Sequence, residues 1–161
     1  MSKAVMLSIR PKWVEKIASG EKTIEVRKTK PKLDPPFKCY IYCTQSGVAL
    51  GAWGKHGKVI GEFVCDCVTP LYNVCMDNWE RLAGGLHNIE KELVNQACLT
   101  EAKLHTYAGG KNCFAWHISD LRIYDEAREL SEFTGLRTFK GGFELRKIDR
   151  PPQSWCYVEE G

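Results

Sequence analysis

Residues 20–27, Gly-Glu-Lys-Thr-Ile-Glu-Val-Arg, bring charged side chains and two β-branched apolar ones into one short stretch, and this stretch decides how the chain is interpreted. Successive side chains of a strand point to opposite faces. If the stretch is a strand, Ile24 and Val26 therefore share one face, which suits contact with a core. Glu25 and Arg27 share the other face and are close enough for a charge-assisted pair. The pattern predicts a polar cluster held on a rigid strand.

Two residues mark the beginning of that strand. Gly20 follows an apolar helical pattern, and a glycine in this place commonly turns the chain out of a helix. Lys22 is then expected at the mouth of the strand, beside Glu25 and Arg27. The alternative interpretation is a solvated strand face, whose surface ion pair contributes only about 0–1 kcal/mol.

The spacing of Gly20, Lys22, Glu25 and Arg27 resembles the G-x-K-x-x-E-x-R signature of the ASCH domain, a branch of the PUA-like superfamily with small single-domain bacterial and phage members. The resemblance covers nearly the whole chain and includes four further segments, residues 7–13, 58–63, 114–118 and 150–155. It implies an α+β fold, a PUA-like small mixed β-barrel with helices inserted at the rim. Residues 1–161 would form a single ASCH/PUA-like domain, with a helical insertion at about residues 74–109.

Alternation between apolar and polar side chains, bounded by turn residues, predicts the strands of this domain. Pro11 is expected to begin a helix, because its fixed φ and missing N–H are harmless in a first turn. Residues 45–57 are expected to form a hairpin loop anchored by Trp53, and residues 141–145 a turn. The predicted strands are residues 4–9, 22–28, 38–44, 58–68, 112–124 and 154–158.

The middle of the chain changes to a helical period. Thr100 is expected to cap the start of a helix that Gly109 ends. Apolar residues recur at helical spacing before it, at Trp79, Leu82, Leu86, Ile89 and Leu93.

The net charge of +3 is unevenly distributed along the chain. Residues 1–38 contain ten Lys and Arg against four Asp and Glu, whereas the remainder contains thirteen against sixteen. A basic segment of this kind favours a polyanionic or phosphate-bearing partner. The alternative is a solvated basic loop, since several of its lysines are spread around prolines.

Compartment and membrane association are predicted from two observations. No apolar run approaches the ~20 residues that a membrane span requires. The N-terminus also lacks the basic-then-apolar pattern of a secretory signal. The sequence therefore predicts a cytoplasmic protein without a membrane partner.

The chain has eight cysteines, and four of them lie in strand-like apolar runs where a free thiol behaves as a small hydrophobe. We therefore expect no disulfide, as in a reducing cytosol. Cys39 and Cys43 with Cys65 and Cys67 would supply four thiolates to zinc if their strands adjoin. No turn-forming knuckle surrounds either pair, and no two histidines show a metal spacing. The prediction is no metal and no cofactor.

The resemblance implies a cleft that recognises RNA or a modified nucleoside or nucleotide. Lys22 and Arg27 are expected to contact phosphate or base, and Glu25 to orient Arg27 or accept from a base edge. The positive rim would be extended by Arg10, Lys12 and Lys28.

Two further segments could contact a base. Gln153, Ser154 and Trp155 place an indole ring beside an amide and a hydroxyl, a set that suits stacking and edge recognition of a nucleobase. Trp13 is a second candidate platform. The alternative for both tryptophans is a place in the core.

Two other classes of function stay open. A hydrolase acting on RNA or a modified nucleoside would use Lys22 and Glu25 as a catalytic acid–base pair. Some ASCH proteins that this chain resembles hydrolyse the amide of an acetylated cytidine with a lysine and a threonine, and others resemble ribonucleases. Lys22 matches that lysine, but Glu25 occupies the threonine's position, which removes the expected nucleophile. A protein-interaction adaptor would instead use the acidic C-terminal half and the helical insertion.

Overall fold

The computed structural model describes residues 2–45, 56–71 and 91–161, which form one eight-stranded sheet with three helices and a 3-10 turn at Leu130–Glu132. The helices are α1 (Pro11–Ala18), α2 (Lys91–Gln96) and α3 (Glu101–Ala108). The strands are β1 (Lys3–Ile9), β2 (Ile24–Arg27), β3 (Phe37–Cys43), β4 (Lys58–Leu71), β5 (Cys113–Arg128), β6 (Thr134–Phe139), β7 (Gly142–Lys147) and β8 (Trp155–Glu159).

The strand order is β2-β5-β4-β3-β1-β8-β6-β7, in which β1 and β3 run parallel and the other pairs antiparallel. Within the described ranges β2 pairs with β5 but with neither β1 nor β7, so the sheet does not close and the predicted closed barrel is wrong. The sheet nevertheless curls strongly. In a flat sheet β2 and β1 would lie about 19 Å apart, four strand spacings of about 4.8 Å, yet the Arg27 side chain on β2 donates to the Ser8 carbonyl on β1 at 2.8 Å. The side chain of Arg27, and not a ladder of backbone hydrogen bonds, therefore connects β2 to β1.

The two faces of the central strands carry two separate cores. On β3, Cys39 and Ile41 belong to a cluster with α1, whereas Tyr40 and Tyr42 belong to a cluster with Phe133. Because side chains alternate along a strand, this division follows directly from the sequence pattern. Both faces of this strand are therefore buried.

The helix ends predicted at Pro11, Thr100 and Gly109 are found in the structure. Pro11 occupies the first turn of α1, whose Val14 and Ile17 are buried. The Thr100 side chain accepts from the Lys103 N–H at 3.2 Å at the start of α3, and Gly109 ends α3 with φ of +55°. A left-handed residue at a helix end favours glycine, which has no Cβ to clash.

A third cluster of buried apolar residues joins α2 and α3 to β2. Ile24 and Val26 lie in it, as the alternation along the motif predicts, with Leu93 from α2 and Leu104 from α3. The apolar side of the motif strand is therefore fixed against two helices. No helix in the described ranges is long and apolar enough to cross a membrane.

The strands β4 and β5 extend beyond their predicted ends, to Leu71 and Arg128, and two further differences concern the motif and the β6–β7 hairpin. The strand of the motif begins at Ile24 rather than at Lys22, because the Lys22 N–H bonds to the Lys16 carbonyl and the Thr23 N–H to Gln96. The turn predicted at residues 141–145 is instead Gly141, the last residue of the β6–β7 turn, followed by the first four residues of β7. All six residues of β7 are exposed, so the alternation of Phe143 and Leu145 with Glu144 and Arg146 is not accompanied by packing on a core.

Some predictions lie outside the described residues. They are the Trp53 anchor with most of its hairpin loop, and the helical pattern from Trp79 to Ile89. Leu93, the last residue of that pattern, is buried in α2.

Candidate ligand-binding cleft

The motif forms a three-residue ionic cluster in which one carboxylate lies between two cations. Glu25 Oε1 is 2.9 Å from Arg27 Nε, and Glu25 Oε2 is 3.3 Å from Lys22 Nζ. The three side chains are only 3% (Lys22), 9% (Glu25) and 10% (Arg27) exposed. The interpretation as a solvated strand face is therefore wrong. The cluster keeps one unit of positive charge beyond what Glu25 neutralises.

Arg27 also ties together two remote parts of the chain. Its Nη2 donates to the Ser8 carbonyl at 2.8 Å, and its Nη1 donates to the carbonyl and hydroxyl of Ser154 at 3.2 and 3.1 Å. The Ser8 hydroxyl in turn donates to the Pro152 carbonyl at 2.6 Å. The planar guanidinium, with five donors in fixed directions, suits such a junction.

Lys22 connects the motif to helical segments, as Arg27 connects it to β1 and to the segment before β8. Its Nζ donates to the Ala97 carbonyl, just beyond α2, at 2.8 Å. The same ammonium lies 5.1 Å from the centre of the Trp13 ring on α1, within the range of a cation–π contact. Lys22 thus joins the motif to two helical segments, and the cluster is both charged and structural.

A cleft of about 790 Å³ opens above this cluster. The volume lies within the ~300–1,000 Å³ typical of ligand pockets. The cleft is bounded by the end of β1, the start of α1, the motif, α3 and the segment before β8. Its lining is made by Ser8, Ile9, Arg10, Trp13, Lys22, Glu25, Val26, Arg27, Lys28, Thr29, Thr44, Leu99, Lys103, Tyr107, Gln153 and Ser154.

The charges on this lining are strongly unbalanced. Glu25 is its one carboxylate among the described residues, whereas five side chains are cationic: Arg10, Lys22, Arg27, Lys28 and Lys103. Arg10, Lys28 and Lys103 are exposed, so their charges face the solvent-filled space of the cleft. A concave surface lined by one sign of charge concentrates ligands of the opposite sign. The arrangement is suited to an anion.

The structure brings most of the predicted site residues together. Arg10, Trp13, Lys28, Gln153 and Ser154 all line the cleft with the three motif residues. Trp13 is half-buried and packs against the core cluster that contains Val14 and Ile17 of α1. One part of its ring therefore belongs to the core, and the other part is exposed in the cleft, as a platform for a base would be.

Two predicted residues lie elsewhere. Trp155 is not part of the lining; its ring packs near Trp116 and Tyr157, and its Nε1–H donates to the Thr29 hydroxyl at 2.9 Å. The core alternative therefore describes Trp155. Lys12 is exposed outside the lining, with Nζ 4.5 Å from the centre of the Trp13 ring.

Sequence reasoning missed two residues of the lining on α3. Lys103 and Tyr107 are both exposed and one helical turn apart, so they share a face. Lys28 Nζ lies 5.1 Å from the centre of the Tyr107 ring, and burial beside the cleft raises the pKa of the Tyr107 hydroxyl. Their spacing identifies a common helix face, but no sequence signal places that face opposite the motif.

The described residues contain no group of three or more potential ligands placed to hold a metal ion. Seven cysteines are described, and all seven are free thiols. Cys65 donates to the Cys67 carbonyl at 3.3 Å, and burial raises its pKa to about 12.

Comparison with models of protein families gives a match that includes the motif. Residues 7–82 match the model of the ASCH domain, a range that begins before the motif and includes it. No curated protein sequence matches the chain.

Solved structures give the fold of the whole chain. A crystal structure of the ASCH protein from Zymomonas mobilis is 18% identical, with a TM-score of 0.57 over 98% of this chain and 88% of that one. A tyrosine-to-phenylalanine variant of the same protein gives a TM-score of 0.58, again at 18% identity, over 99% of this chain and 92% of that one. Residues 7–82 therefore match the ASCH domain, and the chain as a whole shares the fold of these ASCH structures.

Proposed function

We propose that the cleft binds single-stranded RNA or a smaller ligand of the same chemistry, a nucleotide or modified nucleoside. The observation that carries the proposal is the charge of the lining, five cationic side chains against one buried carboxylate. Phosphate groups are the anions that such lysine and arginine clusters commonly bind.

The buried and exposed cations have different tasks in this proposal. Lys22 and Arg27 are nearly enclosed and already donate to protein oxygens, so they act mainly through their charge and by holding the walls of the cleft together. The exposed side chains of Arg10, Lys28 and Lys103 make the direct contacts with phosphate.

An aromatic ring in the lining supplies the contact with a base. Tyr107 is 41% exposed beside Lys28, so one ligand could meet a cation and a ring face together. Stacking of a base on an aromatic side chain contributes about 1–3 kcal/mol and tolerates any base. Gln153 is exposed nearby in the lining and offers an amide to a base edge.

The alternative of hydrolysis by Lys22 and Glu25 has less support. Both carboxylate oxygens of Glu25 are engaged, one by Arg27 and the other by Lys22. A general base must lie within hydrogen-bond reach of the proton that it removes. Glu25 is nearly enclosed and each of its oxygens is directed at a protein cation, whereas three exposed cations of the lining are open to a ligand, so binding is the function that this geometry favours.

The test is fluorescence anisotropy with a labelled single-stranded RNA, titrated at several salt concentrations. The logarithm of the association constant should fall linearly with the logarithm of salt, by about 0.7 for each neutralised phosphate. Lys28→Ala and Lys103→Ala should each weaken binding to a similar extent for RNAs of all sequences. Each should also reduce the magnitude of the salt slope by about 0.7, the contribution of one phosphate contact.

Lys111→Ala is the matched control, because Lys111 is exposed but lies outside the lining. It should leave affinity and slope close to those of the wild type. Binding that ignores salt, or that the three lysine variants weaken equally, would contradict the proposal. Incubation of the wild type with RNA and with acetylated cytidine, followed for product, tests the hydrolase alternative in parallel.

A further inference from the structure

β7 is the last strand of the sheet, and its outer edge carries no paired strand among the described residues. All six of its residues are exposed, including Phe143 at 46% and Leu145 at 49%. An open edge with apolar side chains is a template for pairing with another strand. The outer edge of β7 is therefore a candidate surface for pairing with a strand of a partner.

The hairpin geometry determines which backbone groups of β7 point outward. Lys140 and Gly141 form the turn, and Phe139 is paired with Gly142 beside it. In an antiparallel pair, hydrogen bonding to the neighbour alternates from residue to residue. Counted from the turn, Gly142 and every second residue after it face β6. The N–H and C=O groups of Phe143, Leu145 and Lys147 are therefore directed away from β6.

The side chains of this edge complement a second copy of themselves. In an antiparallel pair centred on Leu145, the two Leu145 side chains face each other. Glu144 of each copy lies opposite Arg146 of the other, and Phe143 lies opposite Lys147. Opposite charges and apolar contacts across strands are each stabilising. The lysine stem packs on the ring while its ammonium stays in water.

The charges of Glu144 and Arg146 also favour this register over the two registers that are centred on the adjacent residues. A pair centred one residue earlier places Glu144 opposite Glu144, and one centred one residue later places Arg146 opposite Arg146. Like charges directly opposite each other are destabilising. Within one copy, Glu144 lies 3.7 Å from Arg137, so its carboxylate is already on the face where the second copy's arginine would arrive.

We propose that the chain self-associates through β7, which pairs antiparallel with β7 of a second copy about a two-fold axis at Leu145. The outward N–H and C=O groups of Leu145 would bond to those of its counterpart, and those of Phe143 to Lys147. Two eight-stranded sheets would become continuous, and the exposed Phe143 and Leu145 would be partly covered. A single strand pair buries less than the ~1,200 Å² at the lower limit of stable interfaces, so the dimer is expected to be weak and reversible.

The test uses sedimentation velocity of the full chain over a wide range of protein concentration. The wild type should pass from monomer to dimer as concentration rises, and high salt should shift this transition to higher concentration, because the two ion pairs are screened. Glu144→Arg and Arg146→Glu should each weaken dimerisation by on the order of tenfold, since each places two like-charged pairs across the strands.

Mixing the two variants gives the decisive measurement. In a heterodimer of Glu144→Arg with Arg146→Glu, arginine again faces glutamate at both positions, so the mixture should associate where neither variant alone does. Lys111→Glu, a charge reversal outside β7, should dimerise like the wild type. Circular dichroism melts establish that each variant is folded. A wild type that stays monomeric at all concentrations, or a mixture with no recovered association, would overturn the proposal.

Discussion

Arg27 and Ser154 are separated by 127 residues, and one guanidinium nitrogen, Nη1, donates to both the carbonyl and the hydroxyl of the serine. This contact joins the free end of the sheet at β2 to the segment that leads into β8. It also fixes one wall of the cleft. A residue expected mainly to contact a ligand therefore holds the curled sheet in shape.

Removal of this guanidinium should unfold the protein more easily. We expect Arg27→Ala to reduce the free energy of unfolding by about 3–5 kcal/mol, the usual result of breaking a buried ion pair. Arg27→Lys should recover only part of the loss, because an ammonium cannot bridge Glu25, Ser8 and Ser154 together. The measurement is urea denaturation followed by fluorescence. Lys28→Ala, at the exposed neighbouring position, should change stability by no more than about 0.5 kcal/mol.

Glu25 should affect stability and RNA binding differently. Glu25→Gln keeps the shape of the side chain but leaves two buried cations without a counter-charge, which should reduce the free energy of unfolding by about 3 kcal/mol. The cleft gains one unit of positive charge, so RNA affinity, measured well below the melting temperature, should be unchanged or stronger. A large loss of affinity in folded Glu25→Gln would show that the carboxylate itself contacts the ligand.

Tyr107 should contribute to binding through its ring. We expect Tyr107→Ala to weaken binding of single-stranded RNA by about 1–3 kcal/mol, the value of one stacked base. Tyr107→Phe keeps the ring and should bind almost normally. Anisotropy titrations at constant salt measure both variants. Equal losses in Phe and Ala would assign the effect to the hydroxyl instead.

The buried thiols should resist modification. Cys67 is exposed and should react quickly with a thiol reagent at pH 8, whereas Cys39 and Cys65 are buried and should not react in the folded protein. Burial raises the pKa of Cys65 to about 12, and only the thiolate is nucleophilic. Under denaturing, non-reducing conditions all eight cysteines should titrate. A lower number would reveal a disulfide.

The same thiols should make the protein sensitive to alkaline pH. An unfolded cysteine ionises near pH 8.5, whereas burial raises the pKa of Cys65 to about 12 and that of Cys156 to about 11. Above pH 8.5 the unfolded chain releases these protons before the folded one does. The stabilisation that comes from burying the neutral thiols is therefore fully present below about pH 8.5, and it is lost as the pH rises towards 12. Urea denaturation at several pH values should show a shallower decline for Cys65→Ala than for the wild type, while exposed Cys67→Ser should keep the original decline.

The sequence by itself determined the elements and the chemical character of the site. Alternation along Phe37–Cys43 and along Ile24–Arg27 was sufficient to assign both strands and their faces, because side-chain direction has a fixed period of two residues. Pro11, Thr100 and Gly109 marked the helix ends through local backbone chemistry. The motif spacing placed Glu25 beside its cations for the same local reason.

Only the tertiary structure decided what surrounds those residues. Burial of the motif depends on the end of α2, where Ala97 lies 75 residues from Lys22, and on the segment before Trp155, where Ser154 lies 127 residues from Arg27. The same long-range packing puts Tyr107 in the cleft and Trp155 outside it. The open sheet also had no local signal, since closure depends on how far the curl brings β2 towards β1. Local periodicity specifies which way a side chain points, but what it meets there is set by contacts between remote segments, 75 residues apart for Lys22 and Ala97 and 127 apart for Arg27 and Ser154.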